Sequence, residues 1–209
     1  MKHFLIAFTV FFFSISLKAQ EPKSVSLNLY GGYALKDKVN FDGFYGYVND
    51  AFEYGAGLEY FAQRTKSFEL RYLRMSTDFP LYGVAGVQLN KGKEKGSANY
   101  ILIGGNNYFG GNSKSKAMPY LGAGIGLGIV DSKNGGSATK FAWDTKLGVK
   151  IKTSSAVSIN LHAYVQSIIS AVGTDYYVTG GGLLIAVPDY TSIFQFGVGG
   201  ALCFNFKKK

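Results

Sequence analysis

The sequence predicts an all-β protein: an eight-stranded, antiparallel, up-and-down β-barrel that crosses a membrane on its strands. Three observations carry this. A short apolar leader opens the chain. Behind it, stretches of ten or so residues alternate bulky apolar with small or polar side chains, the period of a strand with two unlike faces. No later apolar run is long enough for a spanning helix, and only helices and closed barrels satisfy their backbone groups in oil.

The leader is residues 1–19. Lys2 and His3 give a basic start, Phe4 to Leu17 is apolar with a few hydroxyl residues, and Leu17-Lys18-Ala19 resembles a small-residue cleavage site. The apolar part falls short of the ~20 residues of a transmembrane anchor. Gln20, not a cysteine, follows the cut, which argues against a lipid-anchored N-terminus. Residues 20–209 then form one barrel domain, with no tandem repeat or linker.

Composition agrees. The chain has 28 Gly, 15 Tyr and 17 Phe against only 4 Pro. Aromatics favour half-buried strands, and glycines leave space inside a narrow barrel. The formal charge of +9 is spread over dispersed lysines, three of them in the Lys207–Lys209 tail, and with an export leader this argues against nucleic acid. The single Cys203 excludes an intramolecular disulfide, and there is no CxxC or Cys/His zinc pattern. No cofactor is expected.

Eight strands are expected, in order. Ser24–Ala34 sets Val25, Leu27 and Leu29 against Ser26, Asn28 and Tyr30. Ala51–Ala62 sets Phe52, Tyr54, Leu58 and Tyr60 against Glu53, Gly55, Gly57 and Glu59. Phe68–Thr77 sets Phe68, Leu70 and Tyr72 against Glu69 and Arg71. Ala98–Phe109 is ambiguous, because its Tyr100/Leu102/Tyr108 and Ile101/Ile103/Phe109 faces are similarly apolar. Met118–Val130 sets Leu121, Ile125 and Leu127 against Gly122, Gly124, Gly126 and Gly128. Lys140–Ile151 sets Phe141, Trp143, Leu147 and Val149 against Asp144, Lys146, Gly148 and Lys150. Ala156–Gln166 sets Ile159, Leu161 and Val165 against Asn160, His162, Tyr164 and Gln166. Phe194–Phe206 sets Phe196, Val198, Leu202, Phe204 and Phe206 against Gln195, Gly197, Ala201, Cys203 and Asn205.

Connection lengths alternate too. Gln63–Ser67, Gly110–Ala117 and Lys152–Ser155 are short, whereas Leu35–Asp50, Asp78–Ser97, Asp131–Thr139 and Ser167–Ile193 are long. Outer-membrane barrels have short periplasmic turns and longer outer loops, so both termini are expected in the periplasm. Val84–Leu89 and Leu183–Val187 also have strand character. Ten strands are therefore the alternative, one that breaks the short/long rhythm.

With its leader, Tyr/Phe-rich alternating strands, glycine-rich fifth strand and aromatic-ended last strand, the chain resembles the small bacterial outer-membrane β-barrels of the OmpA/OmpX type, the porin-like single-domain families. The resemblance implies an integral outer-membrane protein in contact with outer-membrane lipid or lipopolysaccharide. It also implies that barrel-assembly machinery reads the terminal aromatics, here Phe206 with Phe204 two before it. The Lys207–Lys209 tail departs from that pattern.

An eight-stranded barrel has a lumen filled by its own side chains, or space for one small ligand. The polar network expected inside is Glu53, Glu59, Glu69, Arg71, Asp144, Lys146, His162 and Tyr164, joined by Asn160, Gln166 and Asn205. Buried charges need partners, and unlike charges are favoured directly opposite one another, so Glu59 is expected to face Arg71 across the second hairpin. Phe52 and Tyr60 would be roughly 20 Å apart vertically on a strand tilted near 40°, close to the ~25 Å apolar band. Phe141 and Trp143 are expected at the loop-side girdle.

The leading functional expectation is a non-enzymatic integral barrel whose loops have structural, adhesive or binding roles. Lys91, Lys93 and Lys95, with Lys36, Lys38 and Lys133, are candidate contacts to glycolipid phosphate. The alternative is a narrow channel for small solutes, with room along the Gly122–Gly128 wall. A lipid A-modifying enzyme needs a histidine beside a nucleophile, and the only histidine after the leader, His162, has Tyr164 where a His-x-Ser pattern requires serine. A soluble lipocalin-like binder would turn the apolar faces inward.

Overall fold

Alternation gives each long strand two unlike faces, and closing the sheet sends one face inward all the way round. The computed structural model describes residues 23–41, 43–92, 94–110, 116–132, 136–153, 156–169, 174–178, 184–188 and 192–206, with the backbone alone for 174–178 and 184–188. The expected leader and the Lys207–Lys209 tail lie outside the described residues. The strands are β1 (Ser24–Ala34), β2 (Asp37–Phe41), β3 (Phe44–Val48), β4 (Ala51–Phe61), β5 (Lys66–Asp78), β6 (Leu81–Gly83), β7 (Lys95–Tyr108), β8 (Ala117–Ser132), β9 (Gly136–Lys152), β10 (Val157–Ile169), β11 (Thr174–Val178), β12 (Leu184–Pro188) and β13 (Ser192–Phe206).

Eight of them close an antiparallel barrel in the order β1-β13-β10-β9-β8-β7-β5-β4. The two segments that suggested ten strands do not enter it. Leu184–Pro188 pairs with Thr174–Val178 in a separate hairpin. In the Val84–Leu89 stretch the chain turns instead: Gly86 takes a φ of 72°, as a left-handed turn requires, and its N–H bonds the Gly83 carbonyl at 2.8 Å.

The ladder that leaves β1 at Ser26 passes through Glu59, Glu69, Gly104, Gly124, Asp144 and Gln166 to Gln195. Extending the β1–β13 register past Ala34↔Gly197 sets Gln195 level with position 36, a stagger of ten residues from position 26. Eight strands with that stagger tilt about 41° and give a backbone radius of about 8 Å, which leaves room for side chains and little else.

The greasy side chains face out. Leu121, Ile125, Leu147 and Leu161 are 46–64% exposed, while Glu59 is 0% and Lys146 3% exposed. A soluble barrel has the reverse arrangement, so the lipocalin alternative is excluded and the exterior suits hydrocarbon. The ambiguous strand β7 turns Tyr100, Leu102 and Tyr108 inward and Ile101 and Ile103 outward. Its inward face also carries Asn106, whose amide reaches Glu59, so polar partners decide what apolarity left open.

One expectation about the connections needs correction. Asp131–Thr139 is not a long loop: β8 and β9 stay paired up to Ser132↔Gly136. The Ser-Ala-Thr run at 137–139 continues the ladder. Leu35–Asp50 and Asp78–Ser97 are long, as expected, and carry β2, β3 and β6, which form a small sheet on the loop side. Val39 and Val48 of that sheet are buried with barrel residues Ala34, Met75, Tyr100 and Ile168.

Candidate functional site

The lumen is built in three layers, each fixed by strand parity. At the turn end Phe61, Tyr108, Met118 and Tyr120 form an apolar plug. At the loop end Leu73, Met75, Tyr100 and Leu102 pack with Val39 and Val48 into a second one. Between them lies a layer of ionised and amide side chains.

The charged layer is a chain of ion pairs. Glu59 accepts from Lys150 Nζ at 3.2 Å, Asn106 Nδ2 at 2.9 Å, Tyr108 Oη at 2.6 Å and Asn28 Nδ2 at 3.2 Å. Glu69 accepts from Lys146 Nζ at 2.9 Å, Arg71 Nη1 at 3.0 Å and Asn28 Nδ2 at 2.9 Å, and Tyr30 also donates to it. Arg71 Nη2 pairs with Asp144. The ammonium of Lys150 stands 4.5 Å over the Phe61 ring and that of Lys146 5.3 Å over Tyr30. Carboxylates that accept several bonds each are the condition under which buried charge is tolerated.

Room for the Arg71–Asp144 pair comes from a glycine. A Cβ on Gly124 would sit 2.7 Å from Arg71 Nη2 and 2.8 Å from Asp144 Oδ1. Gly122 likewise faces Asn106, and Gly128 faces Ile168. The glycine wall of β8 therefore receives large neighbours from other strands and does not leave an open path. Gly197 does the same for the Tyr164 ring.

Every side chain expected in the lumen network points inward. Glu53, Glu59, Glu69, Arg71, Asp144, Lys146 and Tyr164 are buried, and His162 is partly buried, edge-on to Tyr30 at 6.0 Å and tilted against Tyr164 at 5.9 Å. Glu53 stands apart from the ion-pair chain and accepts from Gln166 Nε2 at 2.9 Å. A void with room for about one water molecule lies among Glu53, Arg71, Asp144, Lys146, His162 and Tyr164.

The expected Glu59–Arg71 pair does not form. Glu59 lies opposite Glu69, and Arg71 lies opposite Gly57. The pairwise charge rule treats two strands of an open sheet, whereas in the closed barrel β9 supplies Lys146 and Lys150 from across the lumen. Lys150 belongs to the network and was missed. The signal was present, since it shares the inward parity of Asp144 and Lys146 on one strand.

The other singled-out residues lie at the ends. Phe206 and Phe204 are half-exposed on the outer face of β13, opposite Val25 and Leu27. Lys91 and Lys95 are exposed on the loop side, and Lys93 and Lys133 lie outside the described residues. Lys36 and Lys38 stand 3.8 Å over the Tyr47 ring and 4.5 Å over the Tyr45 ring. Tyr45 in turn stacks on Tyr82 at 5.3 Å, so the outer face of the β2–β3–β6 sheet is a basic, aromatic surface.

No protein family matches the chain, and no curated protein is similar to it. Solved structures are similar in fold. The outer membrane protein OprG from Pseudomonas aeruginosa superposes with a TM-score of 0.63 at 13% identity, over 91% of this chain and 100% of that one. The fold is that of the small outer-membrane β-barrels. Neisserial surface protein A is similar at a TM-score of 0.54 and 16% identity, over 85% of this chain and 96% of that one. In this barrel the apolar exterior and ionic interior stand in the arrangement that such a fold needs in a bilayer.

Proposed function

We propose that this chain is a non-enzymatic integral outer-membrane protein with a closed lumen, and that it works through its loop-side surface. One observation carries the reading: the lumen is filled from end to end by two apolar plugs and the ion-paired layer between them. Among the described residues, the void between the plugs has room for about one water molecule, too little for a solute path. The work is then left to the ends, and the loop end carries the larger built surface.

That surface is the β2–β3–β6 sheet, where Tyr45, Tyr47 and Tyr82 sit with Lys36 and Lys38. Tyrosine offers contact area at low entropic cost, and lysines favour anionic partners. Lys91 and Lys95 add positive charge on the same side. The reading places the loops outside the cell, both termini in the periplasm, and Phe204 and Phe206 where assembly machinery would read the last strand.

Planar-bilayer recording of the purified, heat-modifiable protein tests it. The expected result is no steady single-channel conductance. Reproducible conductance steps would replace this reading with the narrow channel.

A further inference from the structure

Arg74 is placed on the wrong face for a buried ion pair. It shares the outward parity of Phe68, Leu70 and Tyr72 on β5. Along a strand tilted about 41° it stands about 15 Å above Phe68. Ladders climb about 3 Å per strand toward the loops from β5 to β9, so Phe141 lies roughly 4 Å further out than Arg74. The guanidinium is therefore just inside the loop-side edge of the apolar band, where a long side chain extends to the headgroups.

The group is held, yet carries no counter-charge. Asn99 Oδ1 accepts from Arg74 Nη1 at 2.7 Å and from Tyr72 Oη at 2.8 Å. Asn99 is oriented in turn by donating from Nδ2 to Asp131 Oδ2 at 3.1 Å. Asp131 lies two ladder positions further toward the loops, with the amide between it and the guanidinium. Tyr54 is directly opposite Arg74. Among the described residues no carboxylate is ion-paired with Arg74.

We propose that Arg74, positioned by Asn99 and flanked by Tyr54 and Tyr72, binds the phosphate of a glycolipid in the leaflet on the loop side. A guanidinium offers five donors in a fork that matches phosphate; Asn99 engages one, and the other neighbours it bonds, the Tyr72 and Tyr54 hydroxyls, are uncharged. Orientation by an amide leaves the charge uncompensated, as a site for an anion requires. The choice of glycolipid over phospholipid rests on the reading that the loops face outward.

The test is lipid retention. The full-length barrel is inserted in phosphatidylcholine nanodiscs containing bis-phosphorylated lipid A, dephosphorylated lipid A or phosphatidylglycerol, then extracted in mild detergent, and bound lipid is counted by native mass spectrometry. Phosphorylated lipid A should be retained about tenfold more by the wild type than by R74Q, with R74K between them. N99A should also lose retention, while all three variants keep heat-modifiable migration. Equal retention by R74Q, or of dephosphorylated lipid A by the wild type, overturns the proposal; should R74Q fail to fold, the wild-type comparison decides alone. Equal retention of phosphatidylglycerol overturns the glycolipid assignment. Protease cleavage of the loops in intact cells tests the orientation separately.

Discussion

Glu59 and Glu69 face each other on neighbouring strands, and what holds these two carboxylates together is a pair of lysines from the far wall. Lys150 reaches Glu59 at 3.2 Å and Lys146 reaches Glu69 at 2.9 Å. Strands β4 and β5 are thereby tied to β9 through the lumen. Removing one partner leaves a buried charge uncompensated. Lys150→Met should therefore destabilise the barrel by about 3–5 kcal/mol, and adding Glu59→Gln should restore much of the loss. Urea unfolding in lipid vesicles reads both.

Gly124 should tolerate no side chain. Its Cβ would press on Arg71 and Asp144, so Gly124→Ala is expected to cost about 1–3 kcal/mol through overpacking. Gly31→Ala is the control, since its Cβ would meet only Phe52 Cζ at 3.4 Å on the outer face. The same unfolding assay separates the two.

The exterior is graded by depth. Leu147 is 64% exposed on the wall within the apolar band, and Leu147→Arg should cost about 2–4 kcal/mol in a bilayer. Val84 is 84% exposed in a loop-side turn, and Val84→Arg should leave stability unchanged. Equal effects at the two sites would mean that hydrocarbon does not cover Leu147.

Asp50 provides a pH-dependent contact outside the membrane. The Tyr33 hydroxyl donates to its carboxylate, and that bond holds the Asp50 carboxyl below its usual range. A depressed carboxyl contributes its stability above the unfolded value and loses it as pH falls through the folded one. Tyr33→Phe should move the Asp50 titration up toward the ordinary carboxylate value, read by carboxyl-carbon NMR.

Strand faces were legible in the sequence because parity alone sets them: β1 runs from Ser24 to Ala34 as its alternation indicates, and Glu53, Asp144 and His162 all turn inward. Register was not legible. It depends on charges from β9 meeting charges from β4 and β5, a relation that no local pattern contains. The loop-side sheet was obscured for a similar reason. Val39 and Val48 become strand residues by packing on the barrel's apolar end, and Leu81 joins them through a three-residue strand too short to announce itself. Arg74 shows parity without its consequence: an outward arginine reads as surface until the surface is seen to be oil.

The chain has a single tryptophan, and the barrel places it on the lipid side. Trp143 lies in the wall against Phe194 at 5.9 Å, one ladder step from Ile125. Fluorescence of the wild-type protein in vesicles of brominated phosphatidylcholine tests the inverted barrel directly. Strong quenching is expected, greater with bromines toward the headgroup end of the acyl chain than with bromines near its terminal methyl. Trp143 fluorescence unaffected by any brominated lipid would contradict it.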